Sequence, residues 1–191
     1  MKKISLRAFV TIGMLSSISY ILMLLNFPIP PFPNFLMIDF SDVPALLAAL
    51  IFGPLAGVLV ELFKNLIDYA FTGSETGVPI GHMANFIAGS IFVLTTYYIY
   101  KLFKTKKGMT LGLISGTVVM AVTMSILNYY VVLPAFNFFL ELPAMSAVET
   151  RQIVVSAILP FNLLKGIIVA VLFMLLYIRL QTWITKQATA Q

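Results

Sequence analysis

Long apolar stretches alternate with short polar or proline-rich segments along the whole sequence. The apolar stretches predict helices at about 4–25, 43–52, 54–71, 80–103, 109–134 and 151–183. Most are long enough to cross a bilayer core of about 30 Å at 1.5 Å per residue. The second is short, because Gly53 and Pro54 interrupt the apolar run and proline suits the first position of a new helix. The pattern predicts an all-α membrane protein with six transmembrane helices, forming one integral membrane domain over residues 1–191.

Three segments between these helices carry turn-forming residues, and we expect them on the outer face at 26–42, 72–79 and 135–150. The first contains four prolines between positions 28 and 33, which cannot continue a helix. Proline at position 160 is expected to kink the sixth helix.

Composition supports the membrane assignment. Hydrophobic residues make up 60% of the 191 residues and charged residues only 10%, and the mean hydropathy is +1.00. Soluble domains average roughly 45–50% apolar and about 25% charged residues. So few charges could not cover a water-facing surface, which excludes most soluble enzymes and nucleic-acid binders. The chain has no cysteine, which excludes disulfides and thiolate metal sites.

The charged residues predict the orientation. Nine of the twelve basic residues fall in three groups, and six helices place all three groups on one face. These groups are Lys2, Lys3 and Arg7; Lys101, Lys104, Lys106 and Lys107; and Arg179 and Lys186. The positive-inside rule makes that face cytoplasmic, with both termini inside. Most acidic residues then fall outside: Asp39, Asp42, Glu75, Glu141 and Glu149.

The third helix carries Glu61, Lys64, Asn65 and Asp68 at offsets that place all four on one helical face. Charged groups inside a bilayer cost about 2.5–3.5 kcal/mol on insertion scales, so this face should point into the bundle. A ligand or ion path is one interpretation. We favour a structural cluster, in which Glu61 pairs with Lys64 and Asn65 bonds a neighbouring helix.

Three further helices bring polar side chains toward the outer half of the bundle. They contribute Asn85, Asn128, and the i, i+3 pair Asn162 and Lys165. The loops 26–42 and 135–150 are long enough to cover them. We expect an outward-facing pocket for a small amphipathic solute. His82, at a helix start, is interpreted as a capping or interfacial residue, because a lone histidine cannot build a metal site.

Sequence patterns of catalysis and ATP hydrolysis are absent. There is no G-x-x-x-x-G-K-[ST], no H-E-x-x-H and no G-x-S-x-G. We therefore expect no enzyme activity, and any uphill transport requires a partner that supplies energy.

Four stretches resemble the S components of energy-coupling factor (ECF) vitamin transporters, most closely the riboflavin-specific group. They are DFSDVPALL at 39–47, FGPLAGVLVELFKN at 52–65, ANFIAGSIFVL at 84–94 and LPFNLLKG at 159–166. The resemblance implies a multi-pass protein of a bacterial cell membrane that captures riboflavin from outside as its transported ligand, with no cofactor. It also implies two kinds of partner, a transmembrane coupling subunit and two cytoplasmic ATPase subunits.

Carried onto this chain, the resemblance indicates a riboflavin site formed by Leu36, Met37, Ile38, Asp39, Asn85, Asn128, Asn162 and Lys165. Asparagine amides both donate and accept, which suits the ring carbonyls and N–H of riboflavin. Family members often carry Ala-x-x-x-Ala on the first helix, facing the coupling subunit. Gly13 and Ser17 hold an equivalent small-x-x-x-small spacing here, which predicts the docking face.

Three alternatives stay open at this point. The chain could be an S component for another vitamin, because a lone lysine also suits a carboxylate. It could be an ion-coupled secondary transporter, with Glu61 and Asp68 as coupling-ion sites. It could also be a membrane assembly subunit without a ligand.

Overall fold

The computed structural model describes residues 6–189, and these are mostly helical. Lys2 and Lys3, which contribute to the predicted orientation, lie outside the described residues. The helices are α1 Leu6–Leu24, α2 Asp42–Phe52, α3 Pro54–Thr72, α4 Ile80–Phe103, α5 Lys106–Leu127, α6 Leu133–Phe139, α7 Ala147–Ile153 and α8 Leu159–Thr189. Two strands, β1 Phe27–Pro28 and β2 Met37–Ile38, pair antiparallel between α1 and α2.

Two π turns join helices into longer rods. Asn128–Val132 connects α5 to α6, and Val154–Ile158 connects α7 to α8. Four helical segments of the described chain are long and apolar enough to cross a membrane: Leu6–Leu24, Ile80–Phe103, Lys106–Phe139 and Ala147–Ala188. Helix α2 is apolar but has 11 residues, and α3 carries three charged side chains along its 19 residues.

The break between α2 and α3 has a local cause. Gly53 adopts φ 97°, a left-handed conformation that residues with a side chain rarely take. Pro54 follows at the first position of α3, where its missing N–H costs nothing. The two helices then pack against each other, and α2 also contacts α8.

Glycines allow close contact between α4 and α5. A Cβ atom added at Gly112 would lie 2.8 Å from the Thr96 carbonyl oxygen, and one at Gly116 would lie 2.5 Å from Thr96 Oγ1. Close backbone approach is the usual basis of helix association in lipid.

The two ends of the described chain lie close together. Arg7, at the start of α1, donates a hydrogen bond to the side chain of Gln187, near the end of α8.

The expected outer loop 135–150 is wrong in extent. Helix α6 continues to Phe139 and α7 begins at Ala147, so residues 140–146 alone separate them. The predicted helix ends at the proline near 134. Instead Pro134 and Pro160 each follow a π turn by two residues. Since proline cannot bond the carbonyl four residues earlier, a turn with i→i+5 bonds lets the helix continue.

Candidate functional site

A cavity of about 140 Å³ lies where the β1–β2 loop meets α4, the end of α5 and the start of α8. Six of the eight residues predicted to bind ligand line it: Leu36, Met37, Asn85, Asn128, Asn162 and Lys165. Aromatic side chains from three elements complete the wall, namely Phe35, Phe136 and Phe161. The cavity thus combines flat apolar surfaces with a few convergent polar groups, the usual make-up of a small-molecule site.

Two of the amides are oriented by their own helices. The Asn128 amide nitrogen donates to the Met124 carbonyl at 2.8 Å, and the Asn162 amide nitrogen donates to the Ile158 carbonyl at 2.9 Å. Each bond fixes the side chain and leaves the amide oxygen as the group that can accept from a ligand.

Asn85 supplies the sharpest indication of a ligand. Its amide oxygen is buried and has no hydrogen-bond partner within residues 6–189. An acceptor buried without a partner costs about 1–3 kcal/mol, and native structures rarely leave one without a reason. Because Asn85 lines the cavity, a donor on a bound molecule would satisfy this oxygen.

The π turns lie beside this cavity. Asn128 is the first residue of one, and Ile158, whose carbonyl holds Asn162, is the last residue of the other. Such turns shift the helical register by one residue and are frequent at functional sites. No sequence signal except the following prolines could have indicated them.

Ile38 and Asp39 do not line the cavity, and their assignment to the riboflavin site stays a prediction. Successive strand residues point to opposite faces. Met37 therefore reaches the cavity wall while Ile38 is fully buried behind it. Asp39 lies deeper and pairs with Lys165, its Oδ2 lying 2.9 Å from the Lys165 Nζ.

Asp39 is held ionised by its surroundings. Burial alone would raise the pKa of its carboxyl. The ammonium groups of Lys165 and Lys64, with hydrogen bonds from Ser41, act in the opposite direction and bring this pKa well below its usual value. The Ser41 N–H donates to Asp39 Oδ1 at 2.8 Å, and the Ser41 hydroxyl donates to the same oxygen.

Lys64 forms the centre of a second polar group. Its Nζ lies 2.6 Å from Ser41 Oγ, 2.6 Å from Asp42 Oδ1 and 2.7 Å from Glu61 Oε2. We call Asp39, Ser41, Asp42, Glu61 and Lys64 the ion network. All five are buried, although Asp39 and Asp42 belong to the segment expected on the outer face.

The predicted pair of Glu61 with Lys64 is therefore present in the ion network. The expected bond from Asn65 to a neighbouring helix is wrong, because its amide nitrogen donates to the Glu61 carbonyl of α3 itself, at 2.8 Å. Sequence reasoning missed Ser41 and Asp42 as partners of Lys64. The signal available was the polar DFSD segment directly before an apolar helix.

The remaining polar pair joins α3 to α4. His82 Nε2 lies 3.0 Å from Asp68 Oδ2, and its ring packs edge-on against Tyr69 with centroids 5.5 Å apart. Neither His82 nor Asp68 lines the cavity. Within the described part of the chain, no group of three or more His, Cys, Asp or Glu residues could hold a metal ion.

The small-residue notch on α1 faces outward. Gly13 and Ser17 are both exposed, and a Cβ atom added at Gly13 would meet nothing within 4 Å. The Ser17 hydroxyl donates to the Gly13 carbonyl at 3.1 Å, so it needs no outside partner. The notch is therefore not used for packing within residues 6–189.

Fold and site together define a class: a membrane protein that encloses a small-molecule pocket within an apolar helical bundle. The chain belongs to the family described as "ECF transporter, substrate-specific component", which matches residues 7–177. Members of this family are components of transporters and not enzymes.

Relatives and a solved structure agree with this family. The chain is 51% identical to the riboflavin transporter FmnP of Bacillus subtilis over 95% of both chains. It is 46% identical to the riboflavin transporter RibU of Staphylococcus aureus, over 93% of this chain and 92% of the relative. A solved structure described as the S component of a bacterial ECF transporter matches with a TM-score of 0.79. It is 45% identical and covers 93% of this chain and 96% of that one.

Proposed function

We propose that this protein captures riboflavin from outside a bacterial cell and delivers it across the membrane when docked to an ATP-driven coupling module. The observation that carries the proposal is the cavity, where the unpartnered oxygen of Asn85 and the amides of Asn128 and Asn162 converge. The two relatives named riboflavin transporters support the choice of ligand.

The chemistry of the cavity suits a flavin. The amides match the carbonyls and N–H of the ring, and Phe35, Phe136 and Phe161 offer faces and edges for contact with it. Lys165 is the cavity's one charged side chain, and it is already paired with Asp39. An uncharged ligand such as riboflavin needs no further cation, whereas a phosphorylated one would be expected to meet an arginine fork.

The cavity is smaller than the 300–1,000 Å³ or so that is usual for ligands of this size. Residues 33–36 lie outside helix and strand, and Phe35 and Leu36 form one wall. We therefore expect this segment to move outward when riboflavin enters. The helical walls contribute the amides and stay in place.

In the ion-coupled alternative, Glu61 and Asp68 would bind the coupling ion. Glu61 is paired with Lys64 and Asp68 with His82. These pairs leave neither side chain as a free carboxylate, so this alternative is not favoured. An S component for another vitamin would use the same pocket. The binding test below distinguishes that alternative from riboflavin binding.

Riboflavin binding is tested by fluorescence. The purified protein should quench riboflavin fluorescence at a 1:1 ratio with submicromolar affinity, and protein purified from riboflavin-containing medium should be yellow. Thiamine and biotin, added in excess, should not displace the flavin. Colourless protein that leaves micromolar riboflavin unquenched would refute the proposal, as would displacement by another vitamin.

The proposed topology has six transmembrane helices, counting α2 and α3 separately, with both termini cytoplasmic and the β1–β2 loop outside. The hydrogen bond between Arg7 and Gln187 supports placing both ends on one side. Since the chain has no cysteine, single cysteines can report the topology. Asn34→Cys and Ala144→Cys should react with an impermeant thiol reagent in intact cells, and Thr105→Cys should not. Labelling of Thr105→Cys alone would invert the topology.

The proposed partners are a transmembrane coupling subunit, docking at Gly13 and Ser17, and two cytoplasmic ATPases. The exposed notch supports this assignment, because helices associate in lipid through small residues. Gly13→Leu should leave riboflavin affinity unchanged and sharply reduce uptake by cells that make the whole transporter. Met14→Leu, an exposed neighbour, is the matched control. Normal uptake by Gly13→Leu would show that the docking face lies elsewhere.

A further inference from the structure

An apolar groove of about 420 Å³ runs along the outside of the bundle, between α5 and α8. It extends from Thr110 to Val118 on α5 and from Leu163 to Met174 on α8. We call it the α5–α8 groove. It lies apart from the cavity described above, and the two share no lining residue.

Every polar group in the groove wall is already bonded. The Thr110 hydroxyl donates to the Lys106 carbonyl at 3.1 Å, and the Thr117 hydroxyl donates to the Leu113 carbonyl at 2.9 Å. The groove therefore offers only apolar contact along its length, which suits a hydrocarbon chain and not a polar solute.

One end of the groove is marked by two lysines. Thr110 and Met174 meet there, with Thr110 Oγ1 4.0 Å from Met174 Sδ. Lys106 and Lys107 precede Thr110 by four and three residues, so they continue the same face of α5. Both side chains are exposed, and neither forms an ion pair among the described residues. The start of α5 adds its own partial positive charge at this point.

The length of the α5–α8 groove matches the thickness of one leaflet of a bilayer. At 1.5 Å per residue, the groove covers about 12 Å along α5 and about 16 Å along α8. Half of a hydrocarbon core of about 30 Å is about 15 Å. An acyl chain lying in the groove would therefore end near the bilayer centre, with its headgroup at the lysines.

We propose that the α5–α8 groove binds one anionic phospholipid, with an acyl chain along the groove and its phosphate at Lys106 and Lys107. A helix from a partner protein fits less well, because docking in lipid uses exposed small residues. Gly166, which directly precedes Ile167 of the groove wall, is already covered: a Cβ atom added there would lie 2.6 Å from Thr117 Cγ2. The lipid proposal depends on the membrane topology that is part of the proposed function. It does not depend on riboflavin binding.

Native mass spectrometry of the detergent-purified protein tests the site, with phosphatidylglycerol and phosphatidylcholine of identical acyl chains as probes. We expect one phosphatidylglycerol to bind at least tenfold more tightly than phosphatidylcholine. Each lysine near a membrane surface contributes about fivefold in affinity. The double variant Lys106→Gln, Lys107→Gln should therefore lose roughly 25-fold for phosphatidylglycerol and little for phosphatidylcholine.

The matched charge control is Lys101→Gln with Lys104→Gln, which removes the same charge from the same end of the bundle. It should change phosphatidylglycerol affinity less than threefold. Ala170→Phe, which fills the groove, should weaken both lipids more than threefold, and Ile167→Trp is a second filling variant should the first fold poorly. Leu175→Phe, exposed but outside the groove, should change neither.

Equal binding of the two lipids by the unmodified protein would overturn the proposal. Equal losses in the two double-lysine variants would also overturn it, since the attraction would then be diffuse. A loss of assembly with the coupling subunit in Ala170→Phe, with lipid binding unchanged, would make the groove a protein interface instead. Riboflavin quenching, measured on the same samples, separates a failure of this site from a failure of the proposed vitamin function.

Discussion

Two groups of buried polar side chains lie side by side in this apolar bundle, and they differ in how their polar atoms are used. In the ion network, Lys64 contacts three partners within 2.7 Å, all of them from α2, α3 and the residues just before α2. In the cavity, the amides of Asn128 and Asn162 bond only their own helices, and the Asn85 oxygen bonds nothing within the described chain. The sequence pattern favoured a structural role for the third-helix charges and a ligand pocket for the asparagines and Lys165.

The comparison distinguishes polar groups that stabilise the fold from polar groups that bind a ligand. Polar groups that satisfy one another across helices contribute to the fold, because leaving any of them alone would be costly. Polar groups that line a cavity, with an atom that the protein leaves unbonded, are prepared for a ligand. Lys165 stands between the two groups, since it lines the cavity and pairs with Asp39 of the ion network.

The largest expected effect comes from removing the centre of the ion network. Lys64→Met would leave the Asp42 carboxylate buried without its cation, and such a loss typically costs about 3–5 kcal/mol. We expect the free energy of unfolding in detergent to fall by that amount. Lys107→Met, which removes an exposed lysine without an ion pair, should change it by less than about 1 kcal/mol.

A Lys64→Met protein as stable as Lys107→Met would contradict the structural role of the ion network. It would also reopen the question of whether Glu61 serves transport. Riboflavin affinity of the folded fraction of Lys64→Met is the second readout, and it should stay within threefold of the unmodified protein.

A second prediction compares two asparagines that make the same local bond. Asn162 and Asn65 each donate to the carbonyl four residues earlier, but only Asn162 lines the cavity. Asn162→Ala should weaken riboflavin binding by about 1.5–3 kcal/mol, the loss expected for a buried hydrogen bond to a strongly polar partner. Fluorescence titration measures it.

Asn65→Ala is the control for that substitution. It should cost about as much stability as Asn162→Ala, because the helix loses the same bond, while riboflavin affinity stays unchanged. A similar loss of affinity in both variants would mean that the difference between the two polar groups has no functional meaning.

Much of the fold follows from local chemistry that can be read along the chain. The break at Gly53 and Pro54 is an example, since a glycine with φ 97° followed by proline needs no tertiary information. The continuation of α5 past Pro134 is the counterexample. A proline stops or distorts a helix according to what surrounds it, and a π turn can absorb it. That choice depends on packing that no local pattern contains.

The candidate site was likewise predictable from the sequence only in part. Asn85, Asn128, Asn162 and Lys165 could be predicted because helical periodicity places polar residues on an inward face. The partner of Lys165 could not be predicted, because Asp39 lies 126 residues away along the chain. Its position is set by the two-residue strand that turns Ile38 inward. Pairing over such a separation is a property of the folded chain alone.

The smallest expected effect tests the junction between the two groups. Asp39→Asn keeps an oxygen that accepts from the Ser41 N–H, but it removes the negative charge that holds the Lys165 ammonium at 2.9 Å. If Asp39 positions Lys165 for the ligand, riboflavin affinity should fall by about fivefold. Stability should fall as well, because the Lys165 ammonium stays buried without its carboxylate. Glu75→Gln, which neutralises a carboxylate exposed on the 73–79 loop, should change neither riboflavin affinity nor stability.

The low pKa of Asp39 adds a second readout. A carboxyl whose pKa is depressed on folding contributes its stabilisation above its unfolded pKa of about 3.9 and loses it only as the pH falls below that range. Riboflavin affinity of the unmodified protein should therefore be flat from about pH 8 to about pH 5. An unchanged affinity in Asp39→Asn, with stability reduced, would assign Lys165 to the ion network and not to the binding site.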